Sequence, residues 1–420
     1  MEELFATKIL IYKLLNIEGF EIPLSETERK HLIITGKNGS GKTTLLRDLK
    51  YFFTLFTNLG NNKFSSTISN INKFNFENKQ ALEIPGWIEG EDRPKDYLTN
   101  INYSIQEKEN YFKNELNLGA YVDINLPETI SSEYKKGNFI IAFFEAKRNR
   151  SLNNPSGINK VALQEYYTIE DNPGIEFIQY IVNLKADQAF AKEDMDIESA
   201  RKIDEWFSVF EQNLFELFDY EGAELQFDRK KYNFNIIEKD KPPYSLNQLS
   251  DGYAAIFDIV SELIMRMEEH KVKNYDVQGI VLIDEVETHL HIALQKKILP
   301  FLTAFFPKVQ FIVTTHSPFV INSIKDAVIC DLENRIVETD LSAYPYEAIV
   351  ENYFEVDQYS DEIKKEVKEF EKLLSMNNLD GEGQIKLNRL EERMTQLQTE
   401  GNDELAVKIQ QIKLKYLNKK

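Results

Sequence analysis

Gly36-Lys37-Asn38-Gly39-Ser40-Gly41-Lys42-Thr43 sets spaced glycines ahead of a lysine and a hydroxyl residue. Glycine lets successive backbone N–H groups turn toward one point with no Cβ in the way. N–H groups gathered in this way hold phosphate oxygens, and a helix opening directly after them adds a favourable dipole. Lys42 has the charge and reach for the β- and γ-phosphates of a nucleoside triphosphate, and the Thr43 hydroxyl suits Mg²⁺. Asn38, Gly39, Ser40, Gly41, Lys42, Thr43 and Thr44 are therefore the expected ATP cradle.

Ile280-Val281-Leu282-Ile283-Asp284-Glu285 ends an apolar run in two acids. Paired carboxylates at the tip of a buried strand are costly unless a cation lies near. Asp284 is the expected Mg²⁺ ligand, directly or through water, alongside Thr43. Glu285 suits the base, or positioner, of an attacking water. In Thr314-Thr315-His316-Ser317-Pro318, His316 follows another apolar run, where a neutral imidazole could reach a γ-phosphate and the water. Glu285 and His316 are thus the candidate catalytic pair. In Leu249-Ser250-Asp251-Gly252-Tyr253, Ser250 and Gly252 stand before a helical pattern and could donate to phosphate oxygens. An ordinary serine N-cap is the other reading of Ser250.

These residues need strands and helices to carry them. His31–Thr35 reads as a buried strand entering the glycine loop, and Thr43–Phe56 as a helix with Leu45, Leu46, Leu49, Phe52 and Phe53 on one side. Further strands are expected at Ile9–Leu15, Phe20–Leu24, Phe139–Phe144, Gly279–Ile283, Gln310–Thr314 and Ala327–Leu332, with helices at Tyr253–Glu269 and Leu290–Phe306. Residues 57–135 carry little periodicity and read as an insertion. Residues 174–219 are helical, with Trp206, Val209, Phe210, Leu214 and Leu217 as a core-facing set. Leu225–Ile237 alternates as a strand pair. After residue 345 come three apolar stripes: Ile363, Val367, Phe370 and Leu374; Leu387, Leu390, Met394 and Leu397; and Leu405, Ile409, Ile412 and Tyr416. They are expected to form a helical bundle that docks a partner, with a solvated tail as the alternative.

The net charge of −19 argues against a broad phosphate-gripping surface, so nucleic acid is possible as a ligand but not favoured. The basic segments Lys147-Arg148-Asn149-Arg150 and Arg229-Lys230-Lys231 are small. No apolar run approaches the roughly 20 residues of a membrane span. Met1-Glu2-Glu3 is acidic where a secretory leader is basic, and Cys330 has no disulfide partner. A cytoplasmic location is the expectation.

The order of glycine loop, Leu-Ser-x-Gly, Asp-Glu and His resembles that of ABC ATPases. Asp251 and Tyr253 stand where the usual signature has Gly and Gln, which is similar to the soluble RecF, SMC and OLD-like branch. Asp284-Glu285-Val286-Glu287-Thr288-His289-Leu290-His291 resembles that branch too. The likeness is more specific to compact AAA-family ATPase subunits of prokaryotic anti-phage systems of the Septu or PARIS type. It implies an α/β fold: an ABC-type P-loop ATPase head with an inserted helical lobe and a helical C-terminal extension. The implied divisions are 1–57, the first half of the head; 58–240, the insertion, with 139–144 returning to the head; 241–340, the second half; and 341–420, the partner-binding extension. By the same likeness Ser250 and Gly252 act in trans, Glu287–His291 lies at a dimer interface, and the chain forms a homodimer or a dimer-based homo-oligomer. It would be an ATP-hydrolysing switch beside a nuclease effector; the alternative is a RecF-like DNA-repair ATPase. A transporter subunit is disfavoured by the long separation of Thr43 from Ser250. The class places a glutamine just after the strand equivalent to Phe139–Phe144. Here Glu145, Lys147 and Arg148 stand there, the next glutamine being Gln164. Tyr12 is a candidate for stacking on adenine.

Overall fold

The computed structural model describes residues 2–58, 118–148, 152–218, 220, 222–268, 276–346, 349, 361–376, 380–399 and 403–417. The chain divides into two compact units, Met1–Tyr346 and Glu347–Lys420.

The first unit is built on a six-stranded sheet. In chain order its strands are β3 (His31–Thr35), β5 (Phe139–Phe144), β9 (Gln278–Ile283), β10 (Val309–Thr314), β11 (Ala327–Asp331) and β12 (Ile336–Thr339). In space the order is β12-β11-β3-β10-β9-β5. All neighbours pair in parallel except β12, which runs antiparallel along β11. Parallel strands are covered on both faces, which is why these read as unbroken apolar runs. Every residue of β5, β9, β10 and β11 is buried.

A second sheet is antiparallel, in the order β2 (Ile17–Pro23), β1 (Ala6–Leu14), β4 (Ala120–Ile124). β4 and the helix α2 (Pro127–Lys135) fall in the stretch expected to be an irregular insertion, yet β4 pairs with β1 from Ala6↔Ile124 to Ile11↔Ala120. Its five residues are all buried, so it carries no period-2 alternation to betray it. The rest of the expected insertion from 59 to 117 lies outside the described residues. The helix α1 (Lys42–Asn58) follows the glycine loop, and its Leu45, Leu46, Leu49, Phe52, Phe53 and Phe56 share one core with both sheets.

The helical stretch resolves into α3 (Phe177–Glu193) and α4 (Ile197–Phe218). Phe177, Trp206 and Phe210 cluster with Phe257, which lies on α5 (Asp251–Met267), the helix that Ser250 opens. Val209, expected in the core, is 48% exposed. It neighbours Phe210 in sequence, but a 3.6-residue turn carries it off the buried stripe. The expected strand pair is present as β6 (Glu224–Asp228) and β7 (Asn233–Ile237), with β8 (Tyr244–Ser245) added beside β7. The helices α6 (Ile292–Phe305) and α7 (Pro318–Ile321) follow β9 and β10. Among the described residues no helix is long and apolar enough to cross a membrane.

The second unit holds α8 (Asp361–Ser375), α9 (Gly381–Thr399) and α10 (Asp403–Leu417). Val367 and Phe370, Leu387, Leu390 and Met394, and Ile409 and Ile412 bury one another. The apolar stripes are thus consumed inside a three-helix bundle, because short helices gain more from an adjacent apolar face than from water. The side chains of Leu397 and Leu405 lie outside the described residues.

Candidate functional site

The sheet register assembles the site. β10 lies between β3 and β9, pairing Val313 with Ile283 and Thr314 with Ile34. The segments following β3, β9 and β10 therefore leave the sheet side by side. Those segments are the glycine loop, Asp284-Glu285 and Thr315-His316.

In the glycine loop Gly36, Gly39 and Gly41 have φ of 138°, 86° and 102°, values that a side chain disfavours. A Cβ at Gly41 would also meet the Leu14 and Leu15 side chains at 3.3 Å. Lys42 is buried at the start of α1, and its Nζ donates to the carbonyls of Gly36 (2.8 Å) and Lys37 (3.1 Å). Burial pulls the Lys42 pKa down from its ordinary value, while Glu285, Glu287 and Asp284 push it the other way. The Oγ atoms of Thr35 and Ser40 are buried with no hydrogen-bond partner. Both residues belong to or adjoin the glycine loop, and hydroxyls left so suit an anion that brings its own acceptors.

Asp284 joins the segments. Its Oδ1 accepts from the Thr43 hydroxyl at 3.2 Å and from the Thr314 hydroxyl at 2.7 Å. Residues far apart in sequence thus share one carboxylate oxygen, as a cation site between Thr43 and Asp284 requires. Thr314 also accepts the Glu285 N–H at 2.8 Å. Glu285 has φ 45°, a left-handed conformation that non-glycine residues adopt at a cost of order 1–3 kcal/mol and that concentrates at functional sites. Its Oε2 accepts from the Thr288 hydroxyl at 3.3 Å.

His316 is half-buried. Burial first, then the Lys42 charge, lowers its pKa, so the imidazole is neutral near pH 7. The Glu287 carboxylate accepts from the Thr315 hydroxyl at 2.7 Å and from the His316 backbone N–H, and burial raises its pKa. Glu287 therefore braces the His316 loop within its own chain. His289 and His291 share no helix: His289 sits in a turn with φ 68°, and His291 is the N-cap of α6.

Ser250 and Gly252 stand at the start of α5, and Ser250 is exposed. Ser250 occupies the N-cap position, but its side chain makes no capping hydrogen bond. The ordinary cap reading thus fails at the hydroxyl. A Cβ at Gly252 would lie 2.8 Å from the His289 carbonyl oxygen, so the turn after β9 packs directly on this glycine. Tyr12, the adenine candidate, is partly buried and stacks on Tyr121 at 5.5 Å.

Sequence reasoning named three supporting residues without finding their roles. Thr314 holds the Asp284 carboxylate and the Glu285 backbone N–H, and its signal was the hydroxyl ending a buried strand. Glu287 was named in the Asp284–His291 motif, but nothing in the sequence tied it to the Thr315–His316 segment. Arg148 stood in a basic segment and, with Glu145 and Lys147, where the class has its glutamine; it is buried and hydrogen-bonded to backbone carbonyls beyond β9, while Glu145 and Lys147 are exposed.

The family described as "AAA domain, putative AbiEii toxin, Type IV TA system" matches residues 32–322. The chain is 35% identical over 151 residues to the Retron Ec83 probable ATPase of Escherichia coli, a match covering 33% of this chain and 27% of that protein. It is 41% identical over 93 residues to Septu protein PtuA of Bacillus mycoides (strain KBAB4), covering 21% of this chain and 13% of that one. With these two it shares well under half of their length. With the Retron Vc95 probable ATPase of Vibrio cholerae serotype O1 biovar El Tor it is 24% identical over 439 residues, covering 86% of this chain and 82% of that protein. The family match runs from β3 through the cradle and the paired acids to just beyond His316: the chain belongs to this AAA-domain family and is an ATPase.

Proposed function

We propose that two copies of this chain close around ATP and that the closed state controls a partner effector, a nuclease, in a prokaryotic anti-phage defence complex. The observation that carries this reading is the Thr43–Asp284–Thr314 junction, which ties the cradle to the acids and sets Glu285 beside them. Asn38 to Thr44 would hold the phosphates of ATP. Thr43 and Asp284 would hold Mg²⁺, which keeps few protein ligands and takes its remainder from phosphate and water. When bound, Mg²⁺ would offset negative charge on the phosphate oxygens while ADP departs as the leaving group. Glu285 takes the proton of the attacking water, and neutral His316 orients that water without adding a competing proton.

Ser250, exposed and without a cap bond, supports completion of the site by a second copy, since a hydroxyl on a helix N-terminus is a ready donor to an anion. Slow turnover suits a switch, whose closed state must last long enough to be read by a partner. The retron and Septu names of its relatives support a defence role. The second unit is the proposed partner-binding element; with its stripes packed inward, its outer surface would make the contact. The DNA-repair alternative loses support at Arg148, which is turned inward from the basic segment that could have met phosphate.

The test is subunit mixing. Lys42→Ala should lose nucleotide binding, and Ser250→Arg should bind ATP but not hydrolyse it. Mixed together, they should regain part of the activity, because one heterodimer site has an intact cradle and an intact Ser250. No recovery in verified mixed dimers would refute the shared site.

A further inference from the structure

Arg148, four residues beyond the end of β5, is 7% exposed. Its guanidinium donates to three successive carbonyls: Nη2 to Asp284 (3.0 Å) and Glu285 (2.6 Å), and Nη1 to Val286 (3.4 Å). Its Nε donates to the Glu145 carbonyl at 3.3 Å. Successive carbonyls of an extended strand point to opposite sides. They converge on one donor only where the chain turns, and the left-handed residue in that turn is Glu285. The N–H side of the same turn is tied to β10, Glu285 N–H donating to the Thr314 hydroxyl and Val286 N–H to the Thr314 carbonyl at 3.0 Å. The turn is therefore latched from both sides.

We infer that Arg148 is a positioning residue for hydrolysis: its planar fork locks the turn at Asp284–Val286 and thereby aims the Glu285 carboxylate. This rests on the reading of Glu285 as the base. Arginine suits the task because five donors in a rigid plane can serve several carbonyls at once, which a lysine ammonium does with poorer geometry. The carboxylates of Asp258, Glu287, Asp284 and Glu285 lie near the buried cation and favour its charge. Asp258 is itself buried on α5, whose first turn carries Ser250 and Gly252. The helix expected to meet the second copy's ATP thus also carries an acid near this cation.

The experiment compares wild type, Arg148→Lys, Glu285→Gln and the double variant in the full chain. It measures ATP affinity by equilibrium binding and kcat at saturating ATP. Arg148→Lys should lower kcat by up to about 10²-fold, the scale of a misplacement of roughly 1 Å, with Kd nearly unchanged. In the Glu285→Gln background it should add almost nothing, because the group it aims is gone. Wild-type kcat in Arg148→Lys overturns the inference. So does a Kd that weakens as much as kcat falls, or the same fold-loss in both backgrounds. Turnover that survives Glu285→Gln instead overturns the assignment of the base. If Arg148→Lys does not fold, Arg148→Gln, uncharged and with two donors in place of five, loosens the same latch. Lowered kcat with unchanged Kd in that variant supports the inference, and wild-type kcat overturns it.

Discussion

Arg266→Met should destabilise the ATPase unit by about 3–5 kcal/mol, the range for breaking a buried ion pair from one side. Arg266 and Glu262 lie one turn apart on α5, and both side chains are 3% exposed. The guanidinium donates to Glu262 Oε1 at 2.8 and 2.9 Å, to Ile141 O of β5 at 3.1 Å, and to Thr168 O at 3.0 Å and Asp171 O at 2.5 Å in the segment leading to α3. Glu262 Oε2 accepts the Gly174 N–H at 2.8 Å. Methionine fills much of the volume but serves none of these acceptors and leaves the Glu262 charge buried without its partner. Each orphaned buried acceptor costs about 1–3 kcal/mol before relaxation, which places the total toward the upper end of the range. In a thermal melt this is a fall of roughly 5–7 °C for a unit of this size. Urea unfolding of the full chain, compared through midpoints at constant slope, is the assay. A loss below about 1 kcal/mol would refute the argument, since it would mean that the pair is solvated or that the carbonyls have other donors. Glu262→Met with Arg266→Met should be more stable than Arg266→Met alone, because it removes the stranded charge. A double variant less stable than the single one would show that the destabilisation is not electrostatic.

His31 makes stability depend on acid. Its Nδ1 accepts the Phe311 N–H across the sheet at 3.1 Å, and burial holds its pKa at about 4 against an ordinary 6.5. A depressed pKa means the folded state refuses the proton, so this contribution is complete above about pH 6.5 and is lost as pH falls toward 4. The span corresponds to about 3 kcal/mol. His31→Gln should flatten that slope, and an unchanged slope in a pH series of urea melts would show that other groups cause it. Deleting residues 360–420 should leave ATP binding intact, because α8 to α10 bury one another as a separate unit, and should abolish capture of the effector. A truncated chain that still co-purifies with the effector would place the docking surface elsewhere.

The proposed phosphate cradle was legible in the sequence because its chemistry is contiguous. One loop supplies the N–H groups, Lys42 and Thr43, and the strand before it and the helix after it show in local periodicity. The acids closing β9 and the histidine after β10 were legible for a related reason, since an apolar run that ends in a charge must come to the surface or to a site. Period cannot say which atoms lie opposite. β4 was lost because a strand buried on both faces has no alternation. The C-terminal stripes announced apolar faces, but only packing showed that those faces meet one another. Arg148 is the clearest case. In sequence it belongs to a basic run, and its acceptors lie beyond Ile283. The parallel pairing of β5 with β9, Phe144 beside Ile283, is what brings its guanidinium onto the carbonyls of Asp284, Glu285 and Val286. Side-chain pattern along a chain records which surfaces leave water. Backbone hydrogen bonds between distant strands decide which groups then face each other, and those bonds involve atoms common to every residue.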